Sequence, residues 1–332
     1  MKLDWVKKVI ADGNHNGFTG LAFFKGKYFL AFRSGKGHAD YESEQVILVS
    51  DNGEQWNVQH RRCFPSLMPG GTVDYRDSYF LVETDRLALY SCATAVRTDN
   101  HERSASPSYT SLQYTDDGKK WSEPVAVYKS AVLWKPIKTT LGYFAAGYHA
   151  APQGGEYCME LYKSTDGIGW KKQGLITGNG SETVLYQVSD NELLAVVRTE
   201  KPPYFLEFYR SQKPFVNWTK TAVIPLIIQA PHLVEWRGKL YLLGRERPDY
   251  MQTADRKAPS FARHRTKIWE LKENTLKEAL EFPSKGDNSY VGTVVNADGS
   301  LLVSYYSQHE CGGNDWNNIM AADIFVARVV KG

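Results

Sequence analysis

The side chains able to do acid–base, nucleophilic or anion-binding chemistry are spread along the whole 332-residue chain. His15, Arg33, His38 and Asp40 stand near its start, and Asp74-Tyr75-Arg76-Asp77 follows. Glu182 and Arg198 lie sixteen positions apart, and Arg245 and Tyr290 come later. Arginine suits a buried carboxylate, because its planar fork holds both oxygens and stays charged. Tyrosine is a poor nucleophile while neutral, so a neighbouring carboxylate must take its proton as the new bond forms. Histidine titrates nearest neutral pH and works as acid or base. His15, His38 and Asp40 match no established ligand spacing, so no metal is expected there. The chain has no Walker loop, Rossmann fingerprint or CxxC pair, and no cofactor is expected.

Residues so far apart need a scaffold that gathers them. Short apolar/polar alternations occur almost everywhere, as in Leu21–Phe24, Lys27–Phe32 and Gln45–Ser50, separated by Gly, Asn and Asp turns. Helical periodicity is nearly absent; the best candidate, Leu271 to Glu281, reads equally well as a loop and strand. A hairpin unit recurs, with tight turns at Lys25-Gly26-Lys27, Ser189-Asp190-Asn191, Arg237-Gly238-Lys239 and Ala297-Asp298-Gly299. In three units a compact turn ending in Trp follows the third strand: Ser50 to Trp56, Thr115 to Trp121 and Ser164 to Trp170. Each has a hydroxyl residue, Asp or Asn two positions on, then Gly, then Trp three later. The Asp and hydroxyl can bond turn backbone, Gly can take positive φ, and Trp packs into the sheet. Ser211 to Trp218 is a degenerate fourth.

Strand counting gives six four-stranded units, at 18–60, 71–127, 131–175, 180–222, 228–283 and 288–330. At about 55 residues each, these are blade-sized. The last lacks a strand, and Lys2–Ile10 precedes the first. The expectation is therefore an all-β, six-bladed propeller whose ring closes when the N-terminal strand joins the last blade. With no linker or composition break, residues 1–332 are expected to form one domain. Asp74-Tyr75-Arg76-Asp77 then reads either as an ordinary β-turn or as polar groups for a central cleft.

Composition narrows the partners. The chain is 42% hydrophobic and 23% charged with a net charge of +3, a globular balance with no strong pull toward nucleic acid or membrane. No apolar run reaches 18 residues. The N-terminus lacks the apolar core and cleavage site of a signal peptide, so a cytoplasmic location is expected, or a secreted one if the chain is a mature form. Cys63, Cys92, Cys158 and Cys311 are scattered, as for free thiols in a reducing compartment. Oligomeric state is not legible.

The three Trp-ending turns resemble the Asp-box turns of the sialidase superfamily, which lie between the third and fourth strands of propeller blades. The resemblance spans nearly the whole chain, but such turns also occur in non-enzymatic propellers and speak to fold more than to activity. Two later segments resemble the family more specifically. Glu182 to Arg198 is similar to the segment in which a catalytic Glu opens one strand and a substrate-binding Arg ends the next. Ser289 to Tyr306 is similar to the segment bearing the nucleophilic tyrosine, which implies that role for Tyr290. Arg245 ends a strand where the resemblance implies another substrate-binding arginine. The sequence departs from the family at its start: His15-Asn16-Gly17-Phe18-Thr19 stands where the first arginine of a triad belongs. Asp40 is the like-for-like acid/base and His38 is as well placed. Those His-containing motifs, with Arg33 counted among the substrate-binding residues, also resemble uncharacterised sialidase-like enzymes and propeller-type ulvan lyases.

Three functions compete on this reading. The first is an exo-acting glycoside hydrolase on an anionic glycan, sialic-acid- or uronate-containing. In it Tyr290 attacks the anomeric carbon, Glu182 accepts its proton, Asp40 or His38 serves as acid/base, and Arg198 and Arg245 hold the carboxylate. The second is a polysaccharide lyase, with His15, His38 and Tyr290 moving protons around an Arg-neutralised uronate. The third is a non-catalytic glycan- or protein-binding propeller, in which these polar residues would not converge. Asn179-Gly180-Ser181 and Asn217-Trp218-Thr219 are sequons, meaningful only in a secretory setting. The stretch from Glu246 to Arg265, including the basic segment around His264, is expected as a solvated insertion or a lid over the pocket.

Overall fold

The computed structural model describes residues 1–38, 40, 42–64, 72–96, 108–150, 157–248, 263–312 and 320–332. Its strands form six four-stranded antiparallel sheets. Blade one holds β2 (His15–Phe24), β3 (Lys27–Gly35), β4 (Glu44–Ser50) and β5 (Asn57–Arg62); blade two holds β6 (Thr72–Val82), β7 (Leu87–Val96), β8 (Tyr109–Thr115) and β9 (Val125–Tyr128). Blade three is β10 (Val132–Thr139), β11 (Gly142–Ala150), β12 (Tyr157–Ser164) and β13 (Trp170–Thr177). Blade four is β14 (Ser181–Ser189), β15 (Glu192–Arg198), β16 (Leu206–Gln212) and β17 (Thr219–Ile224). Blade five is β18 (Ile228–Trp236), β19 (Lys239–Glu246), β20 (Arg265–Lys272) and β21 (Thr275–Glu281). Blade six takes β22 (Asn288–Val295), β23 (Leu301–Ser307) and β24 (Asp323–Val330), and is completed by β1 (Lys2–Ile10) in the order β1-β24-β23-β22.

The first strands of successive blades touch one another in the cycle β2, β6, β10, β14, β18, β22 and back to β2. That cycle closes the six-bladed ring expected from the repeat. β1 runs antiparallel to β24 from Lys2↔Val330 to Ile10↔Ile324. The Leu271–Glu281 stretch is the end of β20, a turn and β21. Among the described residues no helix is long and apolar enough to cross a membrane. The four cysteines form no disulfide.

The core lies between blades, where alternate side chains of facing sheets interdigitate. Phe29, Ala31 and Ile47 of blade one meet Phe80, Leu87 and Leu89 of blade two, and Phe144 and Leu161 of blade three meet Leu185, Ala195 and Val197 of blade four. The Trp-ending turns fasten blade to blade. In each, the hydroxyl oxygen of Ser50, Thr115 or Ser164 accepts the Gly N–H three residues on, at 2.9 Å. Oδ1 of Asn52, Asp117 or Asp166 accepts two further backbone amides. The Gly takes φ of 74, 70 and 75° in turn. Each also abuts a side chain of the preceding blade: Gly53 on Leu302, Gly118 on Phe29 and Gly167 on Tyr90. The degenerate fourth is built differently, with Ser211 Oγ donating to the Asn217 carbonyl.

Candidate active site

All six inner strands carry the same irregularity. The register between each inner strand and its neighbour shifts at Gly17/Gly20, Arg76/Tyr79, Trp134/Ile137, Ser181/Val184, Gln229/His232 and Ser289/Gly292. At each shift a non-glycine residue has positive φ: Phe18 (62°), Asp77 (53°), Lys135 (39°), Glu182 (34°), Ala230 (51°) and Tyr290 (49°). A bulge of this kind inserts a residue and re-aims its side chain, at a conformational cost of order 1–3 kcal/mol per strained residue. Repeated round the ring, it gathers residues from six distant stretches of sequence. Pro136 and Pro231 follow two of the bulges, where the missing ladder N–H is tolerated.

Two of the bulges carry the pair most suited to nucleophilic chemistry. Tyr290 Oη donates to Glu182 Oε1 at 2.7 Å. The other carboxylate oxygen, Oε2, accepts the Ala230 N–H at 2.8 Å and pairs with Arg198 Nη1 at 2.5 Å. Burial alone would raise the Glu182 carboxyl, but Arg198, Tyr290 and the Ala230 amide together hold it below its ordinary value. Glu182 is therefore ionised at neutral pH. Burial, with Glu182 and Asp77 adding to it, pushes the Tyr290 hydroxyl well above its ordinary range, so it stays protonated until a base takes the proton. Its ring is clamped edge-on by Phe18 at 4.8 Å and Trp134 at 5.9 Å. Arg198 also pairs with Glu200 at 3.2 Å, and its side chain remains one-fifth exposed.

Beside this pair lies a second hub, Asp287, fully buried at the head of β22. Its Oδ1 accepts from Arg245 Nη1 at 2.6 Å and Tyr306 Oη at 2.8 Å, and its Oδ2 from His15 Nε2 at 3.0 Å and His38 Nδ1 at 2.6 Å. Burial works against the carboxylate, yet His38, His15 and Arg245 hold its pKa well below the usual range. Arg76 Nη2 donates to His38 Nε2 at 2.7 Å, which assigns the His38 proton to Nδ1. Burial and Arg76, opposed by Asp287, lower the His38 pKa to about 4, so its ring is neutral at pH 7. The donor atoms of His15, His38 and Asp287 lie within 4.8 Å of one another, near enough for a cation. Their hydrogen bonds argue otherwise: the Nδ1 that would face the ion carries the proton, and Arg76 and Arg245 already supply positive charge.

The predicted residues thus divide. Glu182, Tyr290 and Arg198 meet in one contact network; His15, His38 and Arg245 meet on Asp287. Arg245 has little left to offer a ligand, since Nε and Nη2 both donate to Gln229 Oε1 and Nη1 also reaches the Asn288 carbonyl. Arg33 is wholly buried, bound to Asp74 Oδ1 at 2.5 Å and the Gly37 carbonyl at 2.7 Å, and has no surface for a substrate. Asp40 caps its own loop: Oδ2 accepts the Lys36 amide at 2.6 Å and Oδ1 the Glu42 amide at 3.1 Å. Of the stretch expected to overhang the pocket, residues 249–262 lie outside the described residues.

Sequence reasoning did not single out Asp287, Gln229, Tyr306, Lys135 or His232. Lys135 Nζ lies 3.1 Å from His232 Nδ1 and donates to the Val291 carbonyl, while His232 Nε2 meets Thr293 Oγ1 at 2.8 Å. Burial lowers the Lys135 amine to about 7, against the opposing pull of Glu182 and Asp77. Arg76, named only as part of a possible turn, stacks 4.4 Å above the Phe18 ring; among the described residues its Nη1 has no partner.

No known family's sequence profile matches the chain, and no curated protein matches it. Solved structures do. Trypanosoma rangeli sialidase bound to the inhibitor DANA superposes with a TM-score of 0.71 at 15% identity, over 95% of this chain and 55% of that one. The phage phi92 endosialidase gives 0.67 at 10% identity, over 99% and 70%. A Bombyx mori GH32 beta-fructofuranosidase gives 0.56 at 12% identity, over 97% and 90%. The chain spans little more than half the length of the trypanosomal sialidases, and the likeness defines a sialidase-like propeller fold.

Proposed function

We propose that the protein is a retaining glycoside hydrolase that cleaves an anionic sugar from the non-reducing end of a glycan. The observation that carries this reading is the 2.7 Å contact between Tyr290 Oη and Glu182 Oε1 at the ring's axis. An ionised Glu182, oriented by Arg198 and the Ala230 amide, takes the phenolic proton as Tyr290 attacks the anomeric carbon. A neutral nucleophile suits a substrate that already carries negative charge, and tyrosine is the known exception to the two-carboxylate pattern. Among the described residues Arg76 Nη1 has no partner and Arg198 is part-exposed, and these two groups would hold the substrate's carboxylate. Arg245 and Asp287 act as positioning residues that brace β22. The fold neighbours support the reading at the level of architecture, one of them holding sialic acid.

The test is a mass-spectrometric screen of sialosides, glucuronides and uronate oligosaccharides in ¹⁸O-labelled water. Label in the released sugar is the expected result, and Tyr290→Phe or Glu182→Gln should lower kcat by about 10³-fold. An unsaturated, unlabelled uronate would instead identify a lyase. Absence of cleavage across the panel would leave a binding propeller as the better account.

A further inference from the structure

We propose that Asp77 is the general acid/base of this site, the group that protonates the departing glycosidic oxygen and then activates water. The inference rests on the hydrolase reading above and supplies the proton donor that it lacks. Both donors expected from sequence are committed elsewhere. Asp40 spends its two oxygens on the backbone amides of Lys36 and Glu42. His38 is held between Asp287 and Arg76, and as a neutral ring at pH 7 it lends its one proton to Asp287.

Asp77 differs on each count. It sits on the bulge of β6, the position that on β14 carries Glu182 and on β22 carries Tyr290, with φ of 53°. Its carboxyl is half-buried and, among the described residues, accepts no hydrogen bond and forms no ion pair. A part-buried carboxyl without a partner, on a backbone held at positive φ, is poorly explained as scaffold. The charged and titratable groups that face it are Asp74 and Arg76 from its own strand, Lys135 from β10, Tyr148 from β11, Glu182 from β14 and Tyr290 from β22. Burial, offset by Arg76 and helped by Glu182, raises the carboxyl to about 7. Two carboxyl groups of one cleft are thus pushed apart, Glu182 downward and ionised, Asp77 upward to about 7, where it can both give and take a proton, which is the arrangement acid and base roles require.

In the first half-reaction the bond from the anomeric carbon to the leaving oxygen breaks as the bond to Tyr290 Oη forms. The Asp77 proton goes to the leaving oxygen, and the Tyr290 proton goes to Glu182. In the second, Asp77 carboxylate takes a proton from water, the water oxygen bonds the anomeric carbon, and Tyr290 leaves and recovers its proton from Glu182.

The experiment compares methyl and 4-nitrophenyl glycosides of sialic and glucuronic acid on wild type and Asp77→Asn, beside NMR of the protein labelled with ¹³C at aspartate carboxyls. Asp77→Asn should lower kcat/KM for the methyl glycoside by about 10³-fold, and for the aryl glycoside, whose leaving group needs no proton, by less than about tenfold. The alkaline limb of the pH–rate profile should vanish with it. An equal loss on both leaving groups would make Asp77 a binding residue and overturn the proposal. The carboxyl signal that disappears in Asp77→Asn should titrate near neutral pH; titration in the ordinary aspartate range overturns the proposal whatever the substrate. A near-neutral titration in a wild type that cleaves neither glycoside would overturn the hydrolase reading, and with it the proton transfer, while leaving the proton on Asp77 established.

Discussion

Protonation in the cleft is decided by what each group faces, not by its residue type. Lys135 shows this with a basic group. Its amine lies at the ring's axis against His232 and the Val291 carbonyl, and burial draws its pKa from 10.5 to about 7. A depressed lysine pKa means that between about 7 and 10.5 the unfolded chain binds the extra proton, so stability rises with pH across that window. Lys135→Met should remove this rise, bounded at about 5 kcal/mol, and the difference between the two proteins' unfolding free energies at pH 7 and pH 10 measures it. Activity should follow a bell. Its acid limb is shifted downward from the ordinary glutamate value, because Glu182 is the lowered group, and its alkaline limb lies near 7, where Asp77 ionises.

Strands and turns were the legible part of the sequence. Alternating runs and the three Trp-ending turns placed all six blades within a few residues of their observed limits, because period-two patterning and turn chemistry are local. The bulges were not legible, since an inserted residue breaks that period for only a step or two. Only Pro136 and Pro231, proline inside otherwise strand-like runs, hinted at them. Glu182, Tyr290 and Arg198, which meet in the structure, were singled out by resemblance and not by local pattern, whereas Asp287, in Gly286-Asp287-Asn288, reads as a turn. Close approach of inner strands was equally hidden. A Cβ on Gly292 would lie 2.2 Å from the Leu21 amide nitrogen, and one on Gly20 would lie 2.6 Å from the Ser78 carbonyl oxygen. Neither obstacle is a side chain that can swing away. Gly292→Ala should therefore cost about 3 kcal/mol or more in denaturant-induced unfolding, by prising blade six from blade one.

At the scale of the molecule, the ring is held by a pairing between the two ends of the described chain. Arg328 bridges Asp4 at 2.6 Å across the β1–β24 seam, and Lys8 reaches Glu310 at 2.8 Å. Deleting residues 2–10 would leave β24 as an open edge. Its expected effects are a Tm lower by roughly 10 °C or more and association visible by light scattering, both relieved by a peptide of the missing segment. The same seam sets an order in time. During synthesis β1 is made before the other strands of this ring, yet its partner β24 is made only after some three hundred further residues, so β1 must wait unpaired until the sixth blade is complete. Glu182 is made well before Tyr290, and Tyr290 belongs to the blade that this last pairing completes. A chain interrupted between β22 and β24 can build five blades but leaves the blade that carries Tyr290 unfinished, so the meeting of Tyr290 with Glu182 is secured only when the ring closes.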